Sequence, residues 1–134
     1  MRLLICSCGE VEQGNAFEET VRDQLPGMEM LRAQSLQEMV SLLRQPMNNI
    51  LILVIFAPTP NTVDDLFRVR SFFDDKKLIL ILPSRDNDNF IRAIQLNPSF
   101  IGAEEEGFDD VLLVLKRICG RQQTMKRIYK DLRE

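Results

Sequence analysis

Seven consecutive apolar residues, Ile50–Phe56, constrain the fold of this chain more than any other feature of its sequence. Apolar and polar residues do not alternate along this run, as expected for a central parallel strand that is covered on both faces. The run is also far shorter than the roughly 20 residues of a membrane-spanning helix. It therefore predicts a soluble α/β domain with helices on both sides of a parallel sheet.

Shorter apolar segments on both sides of this run alternate with segments of helical periodicity. We predict strands at Arg2–Cys6, Met28–Ala33, Ile50–Phe56, Leu78–Leu82 and Ser99–Ala103. Helices are predicted over about 16–25, from Ser35, from Thr62, over 86–96 and from Phe108. Regular alternation requires right-handed crossovers, so we expect a doubly wound five-stranded sheet in the order 2-1-3-4-5.

Local signals support several of these boundaries. Gly9 and Gly14 bracket a polar loop after the first strand. Ser35 is a candidate N-cap, and Glu38 completes a capping box. Thr62 is the candidate cap of the third helix.

Length and charge indicate one domain with a basic tail. The 134 residues fit a single core. Residues 1–115 carry 10 Lys/Arg against 18 Asp/Glu, whereas residues 116–134 carry 7 against 2. We predict a domain over 1–115 and a basic continuation of the last helix over 116–134, and we expect the acidic domain itself to bind no nucleic acid.

The residue inventory excludes several chemistries. The chain has no histidine, so histidine acid/base pairs, phosphohistidine and His-ligated metals are ruled out. Its three cysteines, Cys6, Cys8 and Cys119, have no disulfide-framework or zinc spacing, which favours a reducing cytoplasm. We see no signal peptide or membrane segment, and we predict no cofactor and no metal.

The loop after the first strand decides between nucleotide and thiol chemistry. It contains neither G-x-G-x-x-G nor a P-loop lysine, and Glu10 and Glu12 would repel a phosphate. Cys8 could act as a nucleophile near a helix N-terminus, although the adjacent carboxylates oppose this and Gly14 stands where a phosphatase loop has arginine. An acidic segment, Glu104–Glu106, is read as a helix-start cluster rather than a metal site.

The run Ile50–Phe56 is followed by Ala57 and Pro58. An apolar strand, an aspartate, three residues and a proline occupy this place in response-regulator receiver domains of two-component signalling, which the chain resembles over roughly residues 1–120. The resemblance implies a flavodoxin-like, receiver-like fold and a place in phosphorelay signalling.

The resemblance also implies a degenerate phosphorylation site. Pairing Pro58 with the family's proline places Val54 at the phosphoacceptor aspartate. The family's magnesium-binding acidic pair falls on Ser7 and Cys8 and its lysine on Glu106, none of which has the required chemistry, while Phe108 keeps the aromatic position after the lysine. The family's switch hydroxyl falls on Pro83 or, one residue on, on Ser84, which is the only polar residue that remains. The predicted pocket residues are Ser7, Cys8, Val54, Ser84 and Glu106. The chain then resembles a pseudo-receiver that cannot be phosphorylated.

The last helix carries a heptad pattern that continues beyond the usual end of a receiver. Its predicted interface residues are Val111, Leu115, Ile118, Gln122, Met125, Tyr129 and Leu132. We expect a homodimer with parallel helices, with the alternative that the helix folds back or frays. The interrupted heptad suggests that more sequence follows Glu134.

Together these features predict a non-enzymatic regulatory module that acts through protein contacts, either with a protein partner or with a downstream output domain. Two alternatives stay open. One is a thiol-dependent phosphocarrier or phosphatase that uses Cys8. The other is a small-ligand-binding flavodoxin-like domain whose strand-end crevice is floored by Val54 and Cys8.

Overall fold

A five-stranded parallel sheet forms the centre of the computed structural model, which describes residues 2–85 and 88–120. The strands follow the order β2-β1-β3-β4-β5, and all four neighbouring pairs are parallel. This confirms the doubly wound fold and the strand order predicted from the sequence. The strands are β1 (Arg2–Cys6), β2 (Glu29–Ala33), β3 (Ile50–Phe56), β4 (Lys77–Leu82) and β5 (Phe100–Ala103).

Helices connect successive strands, a further helix follows β5, and together they cover both faces of the sheet. They are α1 (Val11–Gln24), α2 (Leu36–Leu43), α3 (Pro60–Arg68), α4 (Asp88–Ile94) and α5, which is helical from 109 to 120, where this described segment ends. Short 3-10 turns follow α3 at Arg70–Phe72 and β5 at Glu104–Glu106. Across the described residues, no helix combines the length and apolarity needed to cross a membrane.

The sheet separates two hydrophobic cores, as the unbroken apolar run in β3 requires. Alternate residues of β3 face opposite sides, so Leu53 and Ile55 pack with α2, α3 and α4, whereas Val54 and Phe56 pack with α1 and α5. All four of these side chains are fully buried. Packing against the helices on both faces of the sheet therefore stabilises the central strand.

The first helix begins at Val11, five residues before the predicted start, and it contains Gly14. The prediction that Gly14 lies in a loop is therefore wrong. A methyl group added at Gly14 would lie 3.0 Å from Ser7 Cβ and 2.6 Å from Arg32 Nη2. Glycine is needed because the helix approaches the end of β1 this closely.

Helix capping follows the predictions in α2 but not in α3. The Glu38 amide donates to Ser35 Oγ at 3.2 Å, and Glu38 Oε2 accepts from the Gln34 amide at 2.9 Å, so the capping interactions form one residue wider than a standard box. In α3 the cap is Thr59 rather than Thr62. Pro60 at the first helical position, where no amide donor is needed, explains the earlier start.

Candidate functional site

The loops at the carboxyl ends of the strands form the candidate site, because parallel α/β sheets bind ligands at this edge. The register brings the ends of three strands together: Cys6 pairs with Ile55, and Phe56 pairs with Ile81. The ladder extends one residue further on β1 and β3, where the amides of Ser7 and Ala57 donate to Ala33 and Ile81 carbonyls, each at 2.9 Å.

Val54 lies inside β3 rather than at its end. It is fully buried between Ile5 of β1 and Ile79 of β4, and the strand continues for two more residues to Phe56. Phe56 is thus the side chain that occupies the strand end nearest to Ser7. The sequence contained a signal for this, because Pro60 follows Phe56 at the same spacing that separates Val54 from Pro58.

An aromatic cluster of Phe17, Phe56 and Phe108 fills the end of β3 on the α1/α5 side. The Phe17 ring lies 6.1 Å from Phe56 and 5.2 Å from Phe108, and all three pairs are edge-to-face. Such pairs contribute about 0.5–1.5 kcal/mol each beyond the apolar area that they bury. Apart from Phe108, the sequence interpretation did not assign these residues to the site, because the cluster joins three segments that are distant in sequence.

Ser7 is a buried structural residue at the end of β1. Its hydroxyl lies 3.5 Å from the Ala33 carbonyl, and its own carbonyl accepts the Glu10 amide at 2.9 Å. Its side chain also approaches Gly14 of α1. These contacts leave Ser7 as part of the turn into α1 rather than as a ligand that faces solvent.

Cys8 follows in a left-handed conformation, with φ +48°, and is partly buried. Its sulfur lies 3.4 Å from the sulfur of the fully buried Cys6. A hydrogen bond from the Cys6 thiol lowers the pKa of Cys8, against the opposing effects of burial and the Asp65 charge. The same hydrogen bond, together with burial, raises the pKa of Cys6.

Glu106 is exposed and forms an ion pair with Arg85. Its carboxylate accepts from Arg85 Nε at 2.6 Å, and Arg85 Nη2 donates to the Ile101 carbonyl at 2.9 Å. Arg85 thereby ties the loop after β4 to the loop after β5. Ser84, beside it, is half-buried.

Glu104 is the acidic residue that lies nearest the end of β5, and the sequence interpretation gave it no role at the site. It is half-buried, and its Oε1 atom has no hydrogen-bond partner among the described residues. Burial raises the pKa of the Glu104 carboxyl, and the negative charge of Glu10 raises it further. The carboxylates of Glu10, at the start of α1, and Glu104, at the end of β5, therefore repel each other.

The predicted interface on α5 divides into residues of different roles. Val111 and Leu115 are buried in the core against the sheet, and Ile118 packs partly against the same core. Val111 and Leu115 are thus part of the core of the domain. They are not open to a partner, contrary to the prediction. Gln122, Met125, Tyr129 and Leu132 lie outside the described residues.

Comparison with solved structures shows that the chain has the fold of response-regulator receiver domains. A CheY-like receiver domain protein from Methanospirillum hungatei JF-1 aligns with a TM-score of 0.67 at 12% identity, over 93% of this chain and 98% of that chain. A response regulator from Thermotoga maritima gives 0.66 at 18% identity, over 88% and 98%.

A third similar structure is a response regulator protein from Burkholderia pseudomallei with a phosphorylated aspartic acid, a calcium ion and citrate. It aligns with a TM-score of 0.64 at 12% identity, over 95% of this chain and 73% of that chain. No protein-family model and no curated protein matches the sequence. At these identities the likeness concerns the fold alone, and function must be argued from the site.

Proposed function

We propose that this chain is a non-enzymatic, receiver-like signalling module that works through protein contacts and dimerisation, without a phosphorylation site. The observation that carries the proposal is Phe56, the last residue of β3, which is fully buried against the rings of Phe17 and Phe108. A phosphoacceptor at a strand end must reach solvent and a kinase. An enclosed phenyl ring offers neither a nucleophile nor space for a phosphoryl group.

The choice between Val54 and Phe56 as the counterpart of the family's aspartate does not alter the argument. Neither side chain has a carboxylate, and both are fully buried. Cys6 pairs with Ile55, so Phe56 lies beside Ser7, where both strands end. This position at the strand end favours Phe56 as the counterpart of the aspartate.

The charges around the crevice also oppose phosphoryl transfer, which depends on cations to neutralise the transferred group. Glu10 and Glu104 add negative charge, and the nearby Arg85 is already paired with Glu106 at 2.6 Å. The β1 end contributes Ser7 and Cys8, which are poor ligands for a hard divalent cation. These residues support a site without a phosphoacceptor, in which Ser7 and Cys8 stand where a receiver would hold magnesium and Arg85 is engaged by Glu106.

Dimerisation is proposed through the distal part of the last helix. Val111 and Leu115 are already buried against the sheet, so we assign the dimer contact to the later positions of the heptad pattern in the sequence. Met125, Tyr129 and Leu132 would form a parallel seam, with Gln122 fixing the register. Such a seam would transmit a change in the domain to a partner or an output domain.

Beryllofluoride, a phosphoryl analogue that needs both an aspartate and a divalent cation in its site, tests the proposal directly. The full chain should show no magnesium-dependent binding of beryllofluoride by titration calorimetry, and no mass increase after incubation with magnesium and acetyl phosphate. A receiver domain that is known to be phosphorylated serves as the positive control. Saturable, magnesium-dependent binding to this chain would contradict the proposal.

A further inference from the structure

The dithiol pair at the end of β1, Cys6 and Cys8, is not used by the proposed function. Both side chains lie on the α2–α4 side of the sheet, where Cys6 belongs to the core and Cys8 packs against it. Their sulfurs are 3.4 Å apart. Cys119 packs on the opposite face, against the α1/α5 core, so it cannot reach either of them.

The pair has geometry that a disulfide can adopt. A disulfide bond is about 2.05 Å long, so the two sulfurs would have to approach by about 1.4 Å from their present separation. Two residues span at most about 7 Å, close to the upper limit of the usual 4.4–6.8 Å between the Cα atoms of a disulfide. Bridging thus needs a small adjustment of the turn rather than a rearrangement of the fold.

The two thiols differ in access and in acidity. Cys8 is partly exposed in a left-handed turn and is followed by the exposed Gly9, whereas Cys6 is fully buried. The hydrogen bond between the two sulfurs lowers the pKa of Cys8. An accessible thiol with a stabilised thiolate beside a buried thiol is the arrangement of an attacking and a resolving cysteine.

We propose that Cys6 and Cys8 form a redox-active dithiol site whose oxidant is a small-molecule disulfide of the glutathione class. The Cys8 thiolate attacks one sulfur of the oxidant, the S–S bond of the oxidant breaks, and one thiolate leaves and takes up a proton. The Cys6 sulfur then attacks the Cys8 sulfur and expels the second thiolate, which takes up the proton that Cys6 loses. One small disulfide is thereby reduced to two thiols, and the two protein thiols are oxidised to one disulfide.

Oxidation of this dithiol would provide a signal at the edge of the sheet where receivers take up phosphate. The turn that would close around the disulfide starts α1, through the Glu10 amide that donates to the Ser7 carbonyl. Glu10 in turn opposes Glu104 after β5. This inference goes beyond the proposed function and does not depend on it, because a chain that binds beryllofluoride could still carry the dithiol.

The test uses the full chain with Cys119→Ser, so that only the two cysteines of interest remain. The protein is equilibrated at neutral pH with mixtures of oxidised and reduced glutathione, quenched with acid, denatured, and alkylated with N-ethylmaleimide. We expect a species that carries no alkyl group and is lighter than the reduced protein by two hydrogen atoms. Retention of two alkylatable thiols in excess oxidised glutathione, or addition of two glutathiones, would overturn the proposal.

Two further variants in the same background assign the roles. Cys6→Ser should stop at one glutathione on Cys8, and Cys8→Ser should react at least about tenfold more slowly because only the buried thiol remains. Equal rates would overturn the assignment. Should either variant fail to fold by circular dichroism, limiting iodoacetamide on the Cys119→Ser protein replaces them: Cys8 should be labelled first, and equal labelling of both cysteines would count against the proposal.

Discussion

The Phe56 ring stands at 90° to the Phe108 ring, with centroids 6.3 Å apart, and this contact joins the end of β3 to the start of α5. In a sheet of this topology, the end of β3 is where a ligand or a reactive side chain would face the crevice. The edge-to-face packing instead makes it part of the core. A helix that leads towards the proposed dimer seam is thus anchored directly at the candidate site.

Phe56→Asp should not create a phosphorylation site. The new carboxylate would lie beside two aromatic rings without a cation, so burial should oppose its charge and the lost packing should add to the penalty. We expect the free energy of unfolding to fall by about 3 kcal/mol or more, the range seen when a buried phenylalanine is truncated. Urea unfolding with and without magnesium measures the effect.

Phe56→Leu is the matched control, because it keeps an apolar side chain and should be much less destabilising. Val54→Asp should also fail to accept phosphate, since it lies between Ile5 and Ile79 inside the sheet. Phosphorylation of either aspartate variant by acetyl phosphate would mean that a working cation site exists at the strand ends.

Gly14→Ala should destabilise the domain, although alanine normally favours a helix by about 1 kcal/mol over glycine. The added methyl group would lie 3.0 Å from Ser7 Cβ, which is fixed by the hydrogen bonds of the turn, and would displace the Arg32 guanidinium from Asn15. Overpacking of this kind typically costs about 1–3 kcal/mol, so a net loss of about 1 kcal/mol is expected.

Gly27→Ala is the control for Gly14→Ala, because no atom lies within 4 Å of the added methyl group. It should leave the thermal midpoint within about 2 °C of wild type. A Gly14→Ala protein that is as stable as the Gly27→Ala protein would show that the end of β1 can move away from α1.

Glu104→Gln should stabilise the protein at neutral pH but not at acidic pH. Burial and Glu10 raise the pKa of Glu104 above its ordinary value of 4.5, so the folded state binds its proton more tightly than the unfolded state does. The stability from that proton is fully present below about pH 4.5 and is lost as pH rises through the folded pKa. The advantage of glutamine should therefore grow from pH 4 towards pH 7.

Thermal unfolding of both proteins across this pH range gives the measurement, and Glu105→Gln at the exposed neighbouring position is the control. A difference between Glu104→Gln and wild type that stays constant with pH would show that the carboxyl does not titrate in this range. A greater stability of wild type at pH 7 would mean that the charged form is favoured by a partner.

The sequence was sufficient to predict the sheet, because buried parallel strands are continuous apolar runs and the alternation with helices restricts the topology. It was insufficient for the start of α1, where a close approach to Ser7 explains a glycine that locally resembles a loop signal. The strand-end position was ambiguous because Pro58 and Pro60 both fit the expected spacing. Only the strand register distinguishes Val54 from Phe56, and register depends on pairing between distant segments.

The contacts of the site could not be read from local sequence for the same reason. The sequence alone does not distinguish Glu104, Glu105 and Glu106, but their positions after β5 give them different surroundings. Glu106 pairs with Arg85, whereas Glu104 lacks a hydrogen-bond partner among the residues described. Cys6 and Cys8 likewise form a pair because both lie on one face at the end of a strand.

The proposed dimer is tested by replacing Met125 and Leu132 together with lysine. In a parallel seam these positions meet their own copies, so each substitution would place like charges opposite each other and remove an apolar contact. The dimer should dissociate while residues 2–85 and 88–120 keep their fold, because that core already contains Val111 and Leu115. Sedimentation velocity reports the mass, and circular dichroism reports the fold.

Ile91 and Ile94 on α4 provide the matched control, since they are 65% and 52% exposed and offer a second apolar surface on the domain body. Lysine at both positions adds the same charge as the seam variant but should leave the dimer intact. If the Ile91/Ile94 variant is monomeric and the Met125/Leu132 variant stays dimeric, then association runs through the α4 surface and the last helix is not the dimer seam. Because both variants add two lysines, a difference between them cannot be attributed to net charge alone.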